Sequence, residues 1–223
     1  MAFFTEEYLQ FFKELAPNNH KDWFHENKKR YEKHVKIPFE KFVGHMITRL
    51  SDFDDDLKTL QPKSCIFRIN RDIRFSKDKA PYKLQMSAII AKGGRKEMVN
   101  PGIYMELTPE KLGIYSGVYM PEKDQLLQIR NHIAANQKQF QKLISQAQYL
   151  KYFPNGIQGE KNKVLPAELK EAAAQEPLIF NKQFYWHTKL APETILADNL
   201  DEIVIEHYLA SKNLSLFFKE ALS

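Results

Sequence analysis

Arginine presents a planar fork of donors that fits a phosphate or carboxylate, and lysine adds a point charge. From Lys63 to Lys83 the chain reads KSCIFRINRDIRFSKDKAPYK, a run with seven basic residues and only two acids, Asp72 and Asp78. That excess equals the net charge of +5: of 33 basic and 28 acidic residues in all, 26 of each remain elsewhere and cancel. The chemistry on offer is capture of an oxyanion. Arg68, Arg71 and Arg74 would hold a phosphate or carboxylate, Lys79 and Lys83 would add charge, and Ser76 would donate a hydroxyl hydrogen bond. Asp72, able to take a proton or orient an arginine, and Tyr82, able to donate one, are the candidate catalytic residues. The same spacing also suits an arginine and aspartate lattice that braces a bend, and residue types alone leave both readings open. The expected partner is a small anionic ligand.

Positioning these groups requires knowing which way they point. From Phe67 to Phe75 the apolar residues Phe67, Ile69, Ile73 and Phe75 share one parity, while Arg68, Asn70, Asp72 and Arg74 share the other, the pattern of a half-buried strand. Arg71 falls on the apolar parity. A buried guanidinium needs a carboxylate and several hydrogen bonds, so either Arg71 is paired inside or the chain bends at Asn70-Arg71-Asp72. Asn and Asp are turn formers, which favours the bend. The following SKDKAPYK reads as a basic loop, because Pro81 removes a donor and pushes its predecessor to extended geometry.

Around this segment the periodicities predict helices, then strands, then helices. Thr5 caps a helix over residues 6–16, with Phe4 stapled to Leu9, and Asn19 caps a second helix carrying Trp23, Phe24 and Tyr31. Ile37-Pro38 breaks the pattern before a third helix with Phe39, Phe42, Val43, Met46, Ile47 and Leu50 on one face. Strands follow at residues 82–91, 103–107 and 112–115, a long helix opens at Pro121, another strand carries Phe184, Trp186 and Leu190, and two helices split near Lys212 close the chain. The fold expected is a single α+β domain over residues 1–223, a mainly antiparallel sheet covered by N-terminal and C-terminal helices. If the helix beginning at Asn19 packs beside the sheet, its free N–H groups and Asn19 itself would join the anion site.

Other chemistries find less support. Cys65, the one cysteine, has no disulfide partner and sits beside Ile66 and Phe67 like a buried hydrophobe. Asp52, Asp54 and Asp56 begin like a calcium loop, but Leu57 and Lys63 stand where glycine and glutamate are needed. The seven histidines show no metal spacing, and no Walker or dinucleotide fingerprint occurs, so neither a metal nor a cofactor is expected. With no apolar run long enough to span a bilayer and acids near the N-terminus, no membrane is expected and the predicted location is cytoplasmic. A sequence pI near 9.0 raises nucleic acid as an alternative partner, a basic module that could equally dock an acidic protein. Strand parity opposes a stacking platform, since it sets Phe67 and Phe75 against the face that carries Arg68 and Arg74.

Two dense patches carry a resemblance. Asn18-Asn19 with Trp23-Phe24, Asn27-Lys28 and Tyr31, then FRINRDIRFSKDKAPYK from Phe67 to Lys83, Gly117 with Pro121, and Ile129-Arg130 resemble a bacterial and fungal family of conserved hypothetical proteins, domain of unknown function 2461. Tyr119 stands where relatives are expected to carry tryptophan. The resemblance implies a shared site around the arginines and does not name a substrate.

Overall fold

Alternating apolar residues build a four-stranded antiparallel sheet in the computed structural model, which describes residues 2–223. The strands β1 (Met86–Ile90), β2 (Ile103–Leu107), β3 (Leu112–Val118) and β4 (Phe184–Leu190) lie in chain order across the sheet. One face of the sheet is apolar: Met86, Ala88, Ile90, Ile103, Met105, Leu107, Leu112, Ile114, Phe184 and Trp186 are buried in the core. The intervening residues point the other way, as the two-residue period requires. The register sets Ile89 against Tyr104, Tyr104 against Tyr115, and Tyr115 against His187. The next row sets Ser87 against Glu106, Glu106 against Gly113, and Gly113 against Lys189.

N-terminal helices cover the apolar face beside β1 and β2. In α1 (Glu6–Leu15), Tyr8, Phe11, Phe12 and Leu15 are buried, and Phe4 packs on Tyr8 with ring centroids 4.7 Å apart. Thr5 has the extended backbone of an N-cap, but its side chain makes no capping bond. The cap of α2 (Lys21–Glu26) is His20, whose Nδ1 accepts from the Trp23 N–H, and not Asn19. The short α3 (Lys28–Tyr31) runs through a π-turn (Glu32–Lys36) directly into α4 (Ile37–Ser51). Ile37-Pro38 therefore does not separate two helices. The π-turn changes the hydrogen-bond register, and Pro38 then occupies the first turn of α4, where a missing N–H costs little. Phe39, Phe42, Val43, Met46, Ile47 and Leu50 form the buried stripe of α4 that their spacing predicts. The turn α5 (Pro62–Cys65) leads toward the sheet and buries the Cys65 thiol, whose pKa is raised by desolvation.

C-terminal helices complete the layer. Glu122 and Gln125 close a capping box at the start of α6 (Lys123–Ala135). The long helix expected here divides at Asn136, which bonds the His132 carbonyl through Nδ2 at 2.9 Å, and continues as α7 (Gln137–Ile144). Two short helices follow, α8 (Ala147–Tyr152) and α9 (Lys170–Gln175). The last, α10 (Leu200–Ala221), is unbroken where two helices were expected, because Val204, Tyr208, Leu214, Phe217, Phe218 and Ala221 keep one buried stripe while Asn213 falls on the outer face. No helix among the described residues is long and apolar enough to cross a membrane.

Candidate functional site

The basic segment does not form the regular strand that its parity suggests. Isolated bridges Ile66↔Ala88 and Asn70↔Tyr82 fold it back on residues 81–88 as an irregular ribbon, held by Phe67 N–H to Ser87 O (2.9 Å), Lys83 N–H to Ile69 O (2.8 Å) and Arg71 N–H to Pro81 O (2.9 Å). Pairing stops at Pro81, which has no N–H, and residues 72–80 turn outward as a loop. Ile69 remains buried, whereas Phe75 is 95% exposed. The chain thus bends after Arg71, and Arg71 is neither locked into the core nor aimed into a pocket. Its Nη1 donates to Asp78 Oδ2 at 2.5 Å and to the Ala80 carbonyl at 3.1 Å, closing the loop on itself.

Arg74 and Lys79 are also engaged locally. Arg74 grips Asp72 with both prongs, Nε to Oδ1 at 2.9 Å and Nη2 to Oδ2 at 2.7 Å, and this bonding lowers the Asp72 pKa. Lys79 donates to the Ile73 carbonyl at 3.1 Å, and the Ser76 N–H reaches the same oxygen at 3.4 Å. Arg74 also lies 5.7 Å from the Phe75 ring centroid, so aromatic and cation are together here and not on opposite faces. Tyr82 is buried, stacked on Phe24 at 4.0 Å between centroids. Asn19 clamps it like a strand partner: Nδ2 donates to Tyr82 O at 2.9 Å and Oδ1 accepts from Tyr82 N–H at 3.1 Å. Among Arg68, Arg71, Arg74, Lys79 and Lys83, only Arg68 and Lys83 have side chains that no hydrogen bond or ion pair engages among the described residues. Of the basic residues singled out in the sequence, only Lys83 lines the principal cleft.

That cleft, about 520 Å³, opens on the face of the sheet turned away from the core. Five rings line it, Phe67, Tyr104, Tyr115, Tyr185 and Tyr119, and the His187 ring links Tyr115 to Tyr185 in their row. Phe67 meets Tyr104 edge-on at 6.0 Å, Tyr104 meets Tyr115 at 5.6 Å, Tyr115 stacks on His187 at 5.2 Å and 11°, and His187, Tyr185 and Tyr119 follow at 6.2 Å steps. The register aligns Tyr104, Tyr115 and His187 directly across the ladder, which puts these three rings at contact distance. Gly113 makes the space: a Cβ there would lie 2.7 Å from Glu106 Cγ and 2.8 Å from Tyr115 Cε2.

Glu106 is the polar centre of this face. Oε1 accepts from Lys111 Nζ at 2.6 Å and from the Tyr115 hydroxyl at 2.8 Å, while Oε2 accepts from Gln85 Nε2 at 3.2 Å. Burial raises the Glu106 pKa, but these bonds together outweigh it and hold the carboxyl below its usual range. Tyr115, desolvated and bonded to that carboxylate, is pushed up to about 12 and keeps its proton at neutral pH. The His187 pKa is lowered by burial and by Lys189 and Lys111. Lys83 packs its ammonium 5.5 Å from the centre of the Phe67 ring, and desolvation together with Arg68 lowers its pKa.

With Glu106 neutralised by Lys111, the unbalanced charge at the cleft is Lys83, backed by Arg68. The surface can stack a flat group, attract an anion at the Lys83 end and accept a hydrogen bond at Glu106 Oε2. Glu106, Tyr104, Tyr115 and His187 were not singled out by sequence reasoning, although Tyr104 and Glu106 occupy the polar parity of Ile103–Leu107. Among the described residues no group of three or more His, Cys, Asp or Glu side chains is arranged to hold a metal ion. A family model described as "Conserved hypothetical protein (DUF2461)" matches residues 7–217. None of the curated proteins matches the chain.

Proposed function

The chain belongs to the DUF2461 family of conserved hypothetical proteins, and from its site we propose that the open face of the sheet binds a small ring-bearing anion. The observation that carries this reading is the join of a five-ring aromatic floor to a lysine with no counter-ion among the described residues. A planar group would lie over the tyrosines, where each aromatic contact is worth about 0.5–1.5 kcal/mol beyond area burial. A carboxylate or phosphate would meet Lys83, with Arg68 adding potential. Arg71, Arg74 and Lys79 support the site by shaping the neighbouring loop, since their donors are already committed to Asp78, Asp72 and the Ile73 carbonyl. The test is titration with benzoate and phenyl phosphate, followed by two-dimensional NMR. Saturable shifts at Tyr104, Tyr115 and Lys83 are expected, weakened at least ten-fold by Lys83→Met and little changed by Arg74→Met. Shifts that never saturate, or that survive Lys83→Met unaltered, would remove the reading.

A second reading rests on a separate surface. Exposed Phe75, with the Arg74 guanidinium packed on it, resembles the pairing of ring and cation used to stack single-stranded bases. Anisotropy of a labelled oligothymidylate measures this: Phe75→Ala should weaken binding at least five-fold, and equal binding by both proteins would exclude a stacking role.

A further inference from the structure

A lysine becomes a nucleophile when its surroundings disfavour the ammonium form, through an apolar wall, a neighbouring cation and the lack of an acceptor. Lys83 meets all three conditions. On the wall of the cleft, desolvation and the neighbouring Arg68 act against its charge, and no carboxylate, carbonyl or hydroxyl among the described residues holds its protons; only the Phe67 ring face favours the ammonium. Its backbone is fixed by the bond from its N–H to Ile69 O and by Asn19 clamping Tyr82 one residue before it. The neighbouring basic residues Arg71 and Lys79 have acceptors, and of the basic residues in this run Lys83 alone lines the cleft.

We propose that Lys83 is a covalent site for a carbonyl compound, and that the cleft's ligand class is an aromatic α-keto acid or aldehyde. The inference rests on the cleft being a binding site for ring-bearing anions, and it adds a bond. The free Lys83 amine attacks the carbonyl carbon. A proton passes from nitrogen to oxygen to give the carbinolamine, whose hydroxyl then takes up a further proton and leaves as water. The product is an imine, formed with no change in oxidation state; one water is released for each bond made. Protonated, the imine carries one positive charge, so the site keeps its attraction for the carboxylate of a keto acid. The ring would rest on Tyr104 and Tyr115, within the aromatic row that begins at Phe67.

The probe is benzoylformate with sodium cyanoborohydride, which delivers hydride to the imine and makes the adduct permanent; intact mass and peptide mapping then locate it. One adduct, on Lys83, is expected at pH 8 before other lysines react, and Lys83→Arg should reduce that labelling at least ten-fold. In the wild-type protein, labelling of Lys83 should reach half its maximum at lower pH than labelling of the exposed lysines, a readout that stands even if the variant folds poorly. Mandelate, which has the ring and carboxylate but no carbonyl, should compete. Adducts spread evenly over the lysines, or a Lys83 profile matching theirs, would overturn the proposal. Saturable mandelate binding without any Lys83 adduct would overturn the covalent step and leave the anion cleft standing. Absence of both would overturn the two together.

Discussion

Replacing Glu106 with glutamine tests whether the cleft's centre is held as an ionised network. The carboxylate accepts three donors, from Lys111, Tyr115 and Gln85, and its side chain is 13% exposed. Glutamine offers one carbonyl oxygen and an amide that can only donate, so at least one donor loses its acceptor. A hydrogen bond to a charged group is worth about 1.5–3 kcal/mol, but Lys111 is 29% exposed and can turn to water, which recovers part of the loss. A net cost of about 2 kcal/mol at pH 7 follows. In a chain of this size that lowers the melting temperature by about 4–8 °C. The pH dependence has a definite sign. Because the folded carboxyl has a lowered pKa, its stabilisation is complete above the unfolded value, about 4.3, and is lost as pH falls through the folded value. Urea midpoints measured from pH 7 down to pH 4 should show a gap between wild type and Glu106→Gln that is constant at first and then begins to narrow. Equal midpoints at pH 7, or a gap that widens on acidification, would refute the network.

Three other perturbations have defined outcomes. Asn19→Ala leaves the Tyr82 N–H and carbonyl without their partner, and urea denaturation should register a loss of about 1–3 kcal/mol. Gly113→Ala forces Glu106 and Tyr115 aside, so a cost of about 1–3 kcal/mol should accompany weaker benzoate binding, whereas unchanged tyrosine resonances would show that the space is not needed. Arg71→Met frees Asp78 and the Ala80 carbonyl; limited proteolysis should cut within residues 72–80 faster, with the global unfolding midpoint moving by about 0.5 kcal/mol or less, as expected for surface changes.

The sheet was legible because each strand carries an apolar parity that has to be buried: Ile103, Met105 and Leu107 in β2, Phe184 and Trp186 in β4. The stripe of α4 was legible for the same reason at helical spacing. What pattern could not convey was local geometry that depends on partners. Phe75 lies on the apolar parity of its neighbours yet ends up exposed, because no strand continues opposite it beyond Pro81. Asn19 looked like a cap and instead completes the backbone of Tyr82, a residue it meets only through tertiary packing. The cleft was harder still to foresee. Glu106 and Lys111 cancel, so they leave no charge excess to notice, and the register that aligns Tyr104, Tyr115 and His187 involves β4, far away in the chain. The conspicuous arginines largely serve their own loop, while Lys83, at the end of the run, reaches the open face of the sheet.

The alternation of β4 has a spectroscopic consequence. Tyr185 lines the cleft and His187 lies on the same side of the sheet, while Trp186 between them points into the core, fully buried against Phe218. The other tryptophan, Trp23, packs against Phe11 on the N-terminal helices. Indole emission therefore reads the packing behind β4 and within the N-terminal helices, and phenol absorbance adds a signal from the tyrosine-lined face. Occupancy and unfolding can then be followed separately in one cuvette, with no label attached to either surface.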